Sequence, residues 1–313
     1  MRSLAVAFSL TAAFLTLVHA GAQEPVFKAG VDIVDVAATV TDGDGRFIRG
    51  LTKDDFIVSD NGKPQDIVSF SSERVPVSLA MLLDVSGSMT DEQLATAKVA
   101  IHHFVFDLLD TDDELLLMEF AGNGRILQNW TRDREKFSEA LARANKLPLE
   151  PLANATSVPR QNYGTAVYDA VAVSLRLAAR GANRKKAVLV ISDGIDTSSG
   201  RTVKQVQEAI RASEILVYAL GVDGGSGMGV FGGTGGVDTG ALRKLTDDTG
   251  GRTEVVKGFK NLEKATARLA DEFNQQYVIG YAAPNRDGSW HTIKVQVRKK
   301  GAKVRTRSGY TAS

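Results

Sequence analysis

Between Pro76 and Phe273, short apolar runs alternate with segments whose apolar residues recur at helical spacing. The runs are Val77 to Leu83, Leu115 to Ala121, Ala187 to Ser192 and Ile215 to Val222. Each reads as a strand of a parallel sheet, because such a strand is covered on both faces and needs apolar residues throughout. Between them, Leu94, Ala97, Ile101, Val105 and Leu108 mark one helix, and Arg134 to Asn145 a second. Val167, Ala170, Val171, Leu175 and Ala178 mark a third. Val203, Val206 and Ile210 mark the next, followed by Leu242 and Leu245, then by Leu262, Ala265, Leu269 and Phe273. This grammar predicts an α/β fold with a doubly wound, mostly parallel sheet flanked by helices.

Both flanks read as β structure. Val31 to Val40 is rich in β-branched residues, and Asp42-Gly43-Asp44-Gly45 supplies a turn. Phe56-Ile57-Val58 and Ile67-Val68-Ser69-Phe70 flank Asn61-Gly62, a hairpin signal. After Phe273, Tyr277 to Ala283 forms one strand, while Ile293, Val295 and Val297 alternate with Lys294, Gln296 and Arg298 in another. Lys303, Arg305 and Arg307 alternate with Val304 and Thr306, which suggests a solvated basic strand face. A two-stranded piece is marginal alone, so the flanks are expected to pair as one small β module. The expected organisation is a signal peptide over 1–22, a β segment over 23–75, the α/β domain over 76–275 and a closing β segment over 276–313.

The signal expectation rests on Arg2, the apolar run Leu4 to Val18, and small residues around Ala20-Gly21-Ala22. The run is shorter than the ~20 residues that span a bilayer, and no later segment is apolar enough to do so. A cleaved signal is expected, with an uncleaved anchor as the alternative, and the mature chain is expected to be exported, to the periplasm or outside the cell. Its few aromatic residues and glycine-rich turns have a bacterial character. The 313 residues contain no cysteine, which removes disulfides, zinc-thiolate sites and cysteine nucleophiles. A formal net charge of +1 argues against a partner bound through nucleic-acid phosphates.

Oxygen-bearing residues stand where the strands end. Asp84, Ser86 and Ser88 follow the first core strand, Asp193 follows the strand Ala187 to Ser192, and Thr165 precedes a helix. In a doubly wound sheet, ligands bind at the carboxyl ends of the strands, so these positions converge on one crevice. Hydroxyls and carboxylates are hard donors suited to Mg²⁺ or Mn²⁺. Taken alone, Asp-x-Ser-x-Ser reads equally as a helix cap or Asx turn, and Gly164-Thr165 as an ordinary cap.

Together these residues resemble the von Willebrand factor type A (VWA) domain and its metal-ion-dependent adhesion site. The resemblance covers roughly Val77 to Phe273. It implies that Ser86, Ser88 and Thr165 coordinate the metal, with Asp84 and Asp193 binding directly or through water. It further implies a non-enzymatic adhesion or assembly module whose metal captures an Asp or Glu of a protein partner. The loops Asp91 to Gln93, Asn154 to Gly164 and Gly224 to Gly240 would surround the contact. Thr165 is expected at an exposed rim. The flanks resemble a group of exported bacterial VWFA-related proteins, through Gly50-Leu51-Thr52-Lys53-Asp54-Asp55-Phe56, Asn61-Gly62-Lys63-Pro64-Gln65, Tyr277-Val278-Ile279-Gly280-Tyr281 and Arg307-Ser308-Gly309-Tyr310.

Other features carry less. Gly227-Met228-Gly229-Val230-Phe231-Gly232 matches G-x-G-x-x-G, but no helix follows to receive a pyrophosphate. Asp42 to Gly45 is no EF-hand, because the twelfth position is Lys53. Asp196 could tune the metal or simply start a helix. A metal-assisted hydrolase is the alternative function, and a scaffold with a vestigial metal site a third. No histidine stands with a serine and an acid in a hydrolase order. Oligomeric state is not legible.

Overall fold

The structure, a computed structural model, describes residues 32–145, 164–223, 236–257 and 259–312. The signal segment, the glycine motif at 227–232 and the loop residues 154–163 lie outside the described residues. In chain order the strands are β1 (Ile33–Thr41), β2 (Phe56–Asp60), β3 (Lys63–Gln65), β4 (Ile67–Ser71), β5 (Val77–Asp84), β6 (Glu114–Phe120), β7 (Gly124–Thr131), β8 (Lys185–Ser192), β9 (Leu216–Asp223), β10 (Thr253–Lys257), β11 (Tyr277–Ala282), β12 (Trp290–Val297), β13 (Lys303–Arg305) and β14 (Gly309–Thr311). The helices are α1 (Asp91–His103), α2 (Arg134–Arg143), α3 (Val167–Ala178), α4 (Val203–Arg211), α5 (Thr239–Thr246) and α6 (Phe259–Gln275).

The central sheet has the order β10-β9-β8-β5-β6-β7, parallel except for β7. Every residue of β5 is buried. Val77, Leu79, Met81 and Leu83 point to one core with α1, α2 and α6, whereas Ala80 and Leu82 point to a second with α3, α4 and α5. Three helices thus cover each face, as the apolar runs require. The sequence reading missed both edge strands, β7 and β10. It also carried the first helix to Leu108, whereas α1 ends at His103 and Phe104–Leu108 winds as a π-helical turn.

The flanks pair with one another as expected. One antiparallel sheet has the order β13-β1-β11-β4 and the other β14-β12-β2-β3. Each mixes strands from both flanks, and a single core containing Val36, Phe56, Val58, Tyr281, Ile293 and Tyr310 joins them. Asn61 and Gly62 do make a tight turn, with φ of 48° and 77°. The turn leads into β3, however, and β4 crosses to the other sheet against β11. Pro64 is tolerated because β3 is an edge strand.

The solvated basic strand face holds for Lys303, only in part for Arg305, and not for Arg307. Arg307 is only 6% exposed, and its Nη1 donates to Glu214 Oε1 at 2.9 Å. Arg305 Nη2 donates to Glu272 Oε2 at 2.5 Å. Glu272, on α6 and fully buried, also accepts from Tyr218 OH at 2.7 Å and Thr39 Oγ1 at 3.3 Å. These arginines therefore fasten β13 and the turn after it to the α/β core.

Candidate metal centre

The strand order reverses direction between β5 and β8, which is where doubly wound sheets bind ligands. Asp84 is the last residue of β5, and Asp193 directly follows β8. Both carboxylates therefore flank the switch point. Asp84 is fully buried, and both its oxygens are held. Oδ1 accepts the Ser86 N–H at 2.9 Å, and Oδ2 accepts the Ser192 hydroxyl at 2.5 Å. Ser192 in turn accepts the Gly194 N–H at 2.9 Å.

Ser86 and Ser88 lie with their hydroxyls 2.9 Å apart, Ser86 buried and Ser88 exposed. Asp84, Ser86 and Ser88 are thus linked through the Ser86 N–H and the two serine hydroxyls. The Ser88 side chain favours the charged form of Asp193. Thr165 reaches this edge by another route. Ala166 N–H donates to the Ala121 carbonyl at 2.7 Å, beside the end of β6, and Thr165 itself binds the loop that carries Asp193. Thr165 is only 3% exposed, so the expectation of an exposed rim was wrong.

Burial drives the Asp84 carboxyl up to about 7, and the Asp193 charge adds to the rise. Burial likewise raises Asp193, against the hydrogen bond from Ile195 N–H and the Ser88 side chain, which favour its charged form. Two carboxylates disfavoured as anions, with three hydroxyls in the same set, make a donor set that a hard cation would relieve. Among the described residues, no group of three or more His, Cys, Asp and Glu side chains forms a metal site of the usual kind. A cation here would depend on the serine and threonine hydroxyls.

Sequence reasoning missed Ser192, which holds Asp84, and Thr197 and Ser199, which serve the start of α3. Asp196 also serves α3, accepting the Tyr168 N–H at 3.1 Å. The cluster Asp196-Thr197-Ser198-Ser199 just past a core strand was the available signal.

The model of the von Willebrand factor type A domain matches residues 78–268. The chain belongs to this family. VWA domains commonly mediate protein–protein interaction and adhesion, and are generally not enzymes. Comparison with curated proteins finds no match. Among solved structures, a von Willebrand factor type A protein from Catenulispora acidiphila is 14% identical, with a TM-score of 0.50, over 89% of this chain and 73% of that one. That likeness is one of fold and reaches beyond residues 78–268. The conserved hypothetical protein BatB from Bacteroides thetaiotaomicron is 21% identical over 63% of this chain and 98% of its own, with a TM-score of 0.49. The vWF domain of the type V pili tip protein Mfa5 from Porphyromonas gingivalis is 13% identical over 64% and 96%, with a TM-score of 0.48. Among the described residues, no helix is long and apolar enough to cross a membrane.

Proposed function

We propose that this protein is a non-enzymatic, metal-dependent binding module, exported to the periplasm or the cell exterior. Its Mg²⁺ or Mn²⁺ is held by Asp84, Ser86, Ser88, Thr165 and Asp193, and the metal captures an Asp or Glu of a partner protein. The observation that carries this reading is the pair of buried carboxylates at the switch point, with the paired hydroxyls of Ser86 and Ser88 beside Asp84. When bound, the metal would supply a positive centre with a position open to an outside carboxylate. The three hydroxyls add no negative charge, so where Asp84 and Asp193 act through water the metal keeps positive character, and a carboxylate is its natural hard ligand.

The chain's own residues set the geometry. Ser192 and the Ser86 N–H fix the rotation of Asp84, and the Ile195 N–H fixes Asp193. Calorimetry with Mg²⁺ and Mn²⁺ should give one site per chain, and envelope proteins captured by the immobilised chain should be released by chelator. Capture that survives excess chelator would move the partner to another surface. Hydrolysis of generic phosphoester, peptide or glycoside substrates that requires the metal would favour the hydrolase instead.

A further inference from the structure

Helix α3 begins without a cap of its own, since Ala166 offers no side-chain acceptor. The first N–H groups of a helix lack partners within it and need them from elsewhere. Here they come from the loop after β8, about 30 residues further along the chain. Asp196 Oδ2 accepts the Tyr168 N–H and Ser199 Oγ accepts the Asp169 N–H, each at 3.1 Å. Asp196 is itself fixed, accepting from the Ser199 N–H at 3.2 Å and the Ser199 hydroxyl at 2.5 Å.

The same loop grips the residue just before the helix from both sides. Thr197 Oγ1 accepts the Thr165 N–H at 2.9 Å. The Thr165 carbonyl accepts from Thr197 N–H at 2.8 Å and Ser198 N–H at 3.1 Å. Gly164 permits this approach, because a Cβ there would lie 2.5 Å from Ser198 Oγ and 2.9 Å from Thr197 Oγ1. At its other end the loop is anchored by the Asp193 carbonyl, which accepts the Asp238 N–H at 2.8 Å.

We infer that Asp196, Thr197 and Ser199 are positioning residues that clamp the Thr165 turn to the Asp193 loop as one body. The clamp fixes the separation of two candidate metal ligands that come from different elements. This rests on the metal reading of the site. Partners of ligands commonly change metal affinity 10- to 100-fold when removed, by letting the ligand drift.

The test uses the full chain with Thr197→Val, which keeps shape but loses the acceptor, and Thr197→Ser, which restores it. Ser199→Ala, which leaves the Thr165 contacts intact, serves if Thr197→Val misfolds. In metal-free protein, amide exchange at Thr165 should accelerate about 10-fold in Thr197→Val and return to the wild-type rate in Thr197→Ser. For Ser199→Ala the faster amide is that of Asp169. Mn²⁺ affinity by calorimetry should fall about 10-fold in the valine variant and recover in the serine one. Unchanged exchange overturns the clamp, whatever the metal does. Faster exchange with wild-type Mn²⁺ affinity overturns the positioning role and leaves a purely structural cap. Wild-type protein that takes up no Mn²⁺ refutes the metal reading and the positioning role with it, while the exchange arm still reports on the clamp.

Discussion

Asp84 illustrates how a single residue can be both costly and useful. Its carboxylate is buried beside that of Asp193, yet each oxygen has a donor that fixes its direction. Asp84→Asn keeps the shape and removes the charge, and it should lower Mn²⁺ affinity about 10- to 100-fold in calorimetry. Equal affinity in the variant would remove Asp84 from the ligand set. Thr165→Ala should weaken the metal too, but because Thr165 is buried its melting temperature should also fall, by an amount that thermal denaturation would record. Lys185 shows cost without an evident ligand. Its Nζ donates to the Phe273 carbonyl at 2.8 Å, and burial pushes its pKa down to about 7. A free lysine titrates near 10.4, so between about pH 7 and 10 the unfolded chain binds a proton that the folded chain lacks. Stability should therefore rise with pH across that window and be lost as pH falls toward 7. Lys185→Met should flatten the slope and raise the melting temperature at pH 7 by about 2–4 °C. Melts at several pH values check this, and an unaltered slope would mean that the lysine stays charged in the fold.

Among the elements, the four central strands were legible because burial on two faces demands near-continuous apolar sequence, as in Val77 to Leu83. Edge strands escape that demand. In β7 no residue is fully buried, and in β10 only Val256 is, so neither carries an apolar run. Four of the five candidate ligands were legible for a related reason: Asp84, Ser86, Ser88 and Asp193 stand at the ends of readable strands, whereas Thr165 stands before a readable helix. Ser192 and the Asp196-Thr197-Ser199 cap were not, because their partners Asp84 and α3 lie far away in sequence and no local periodicity reports a distant acceptor. The Asn61-Gly62 turn was readable from its chemistry, though its strand partner was not, since β3 has only three residues. A Cβ at Gly62 would meet nothing within 4 Å, so Gly62→Ala tests backbone strain alone. At its φ of 77° the substitution should cost about 1–2 kcal/mol, measured by chemical denaturation.

At the scale of the molecule, Glu272 joins α6, β9, β1 and β13 through Tyr218, Thr39 and Arg305. Removing one partner of a buried ion pair is far more harmful than never having had the pair. Glu272→Ala should destabilise by about 3 kcal/mol. Calorimetric melting should then show the β module parting from the α/β core before the main transition. A single unshifted transition would mean that the network is dispensable. The pairing of β1 with β11 has a further consequence, for the order of assembly. Strands so far apart in sequence meet late, because the closure entropy of the intervening loop must first be overcome. A chain that emerges N-terminus first would hold β1 and β4 without neighbours until α6 is complete. If it were cut after Gln275, β1 would lose both β11 and β13, leaving two open edges above an apolar face. Such edges are templates for self-association, so the truncated chain should precipitate even though its α/β core is intact.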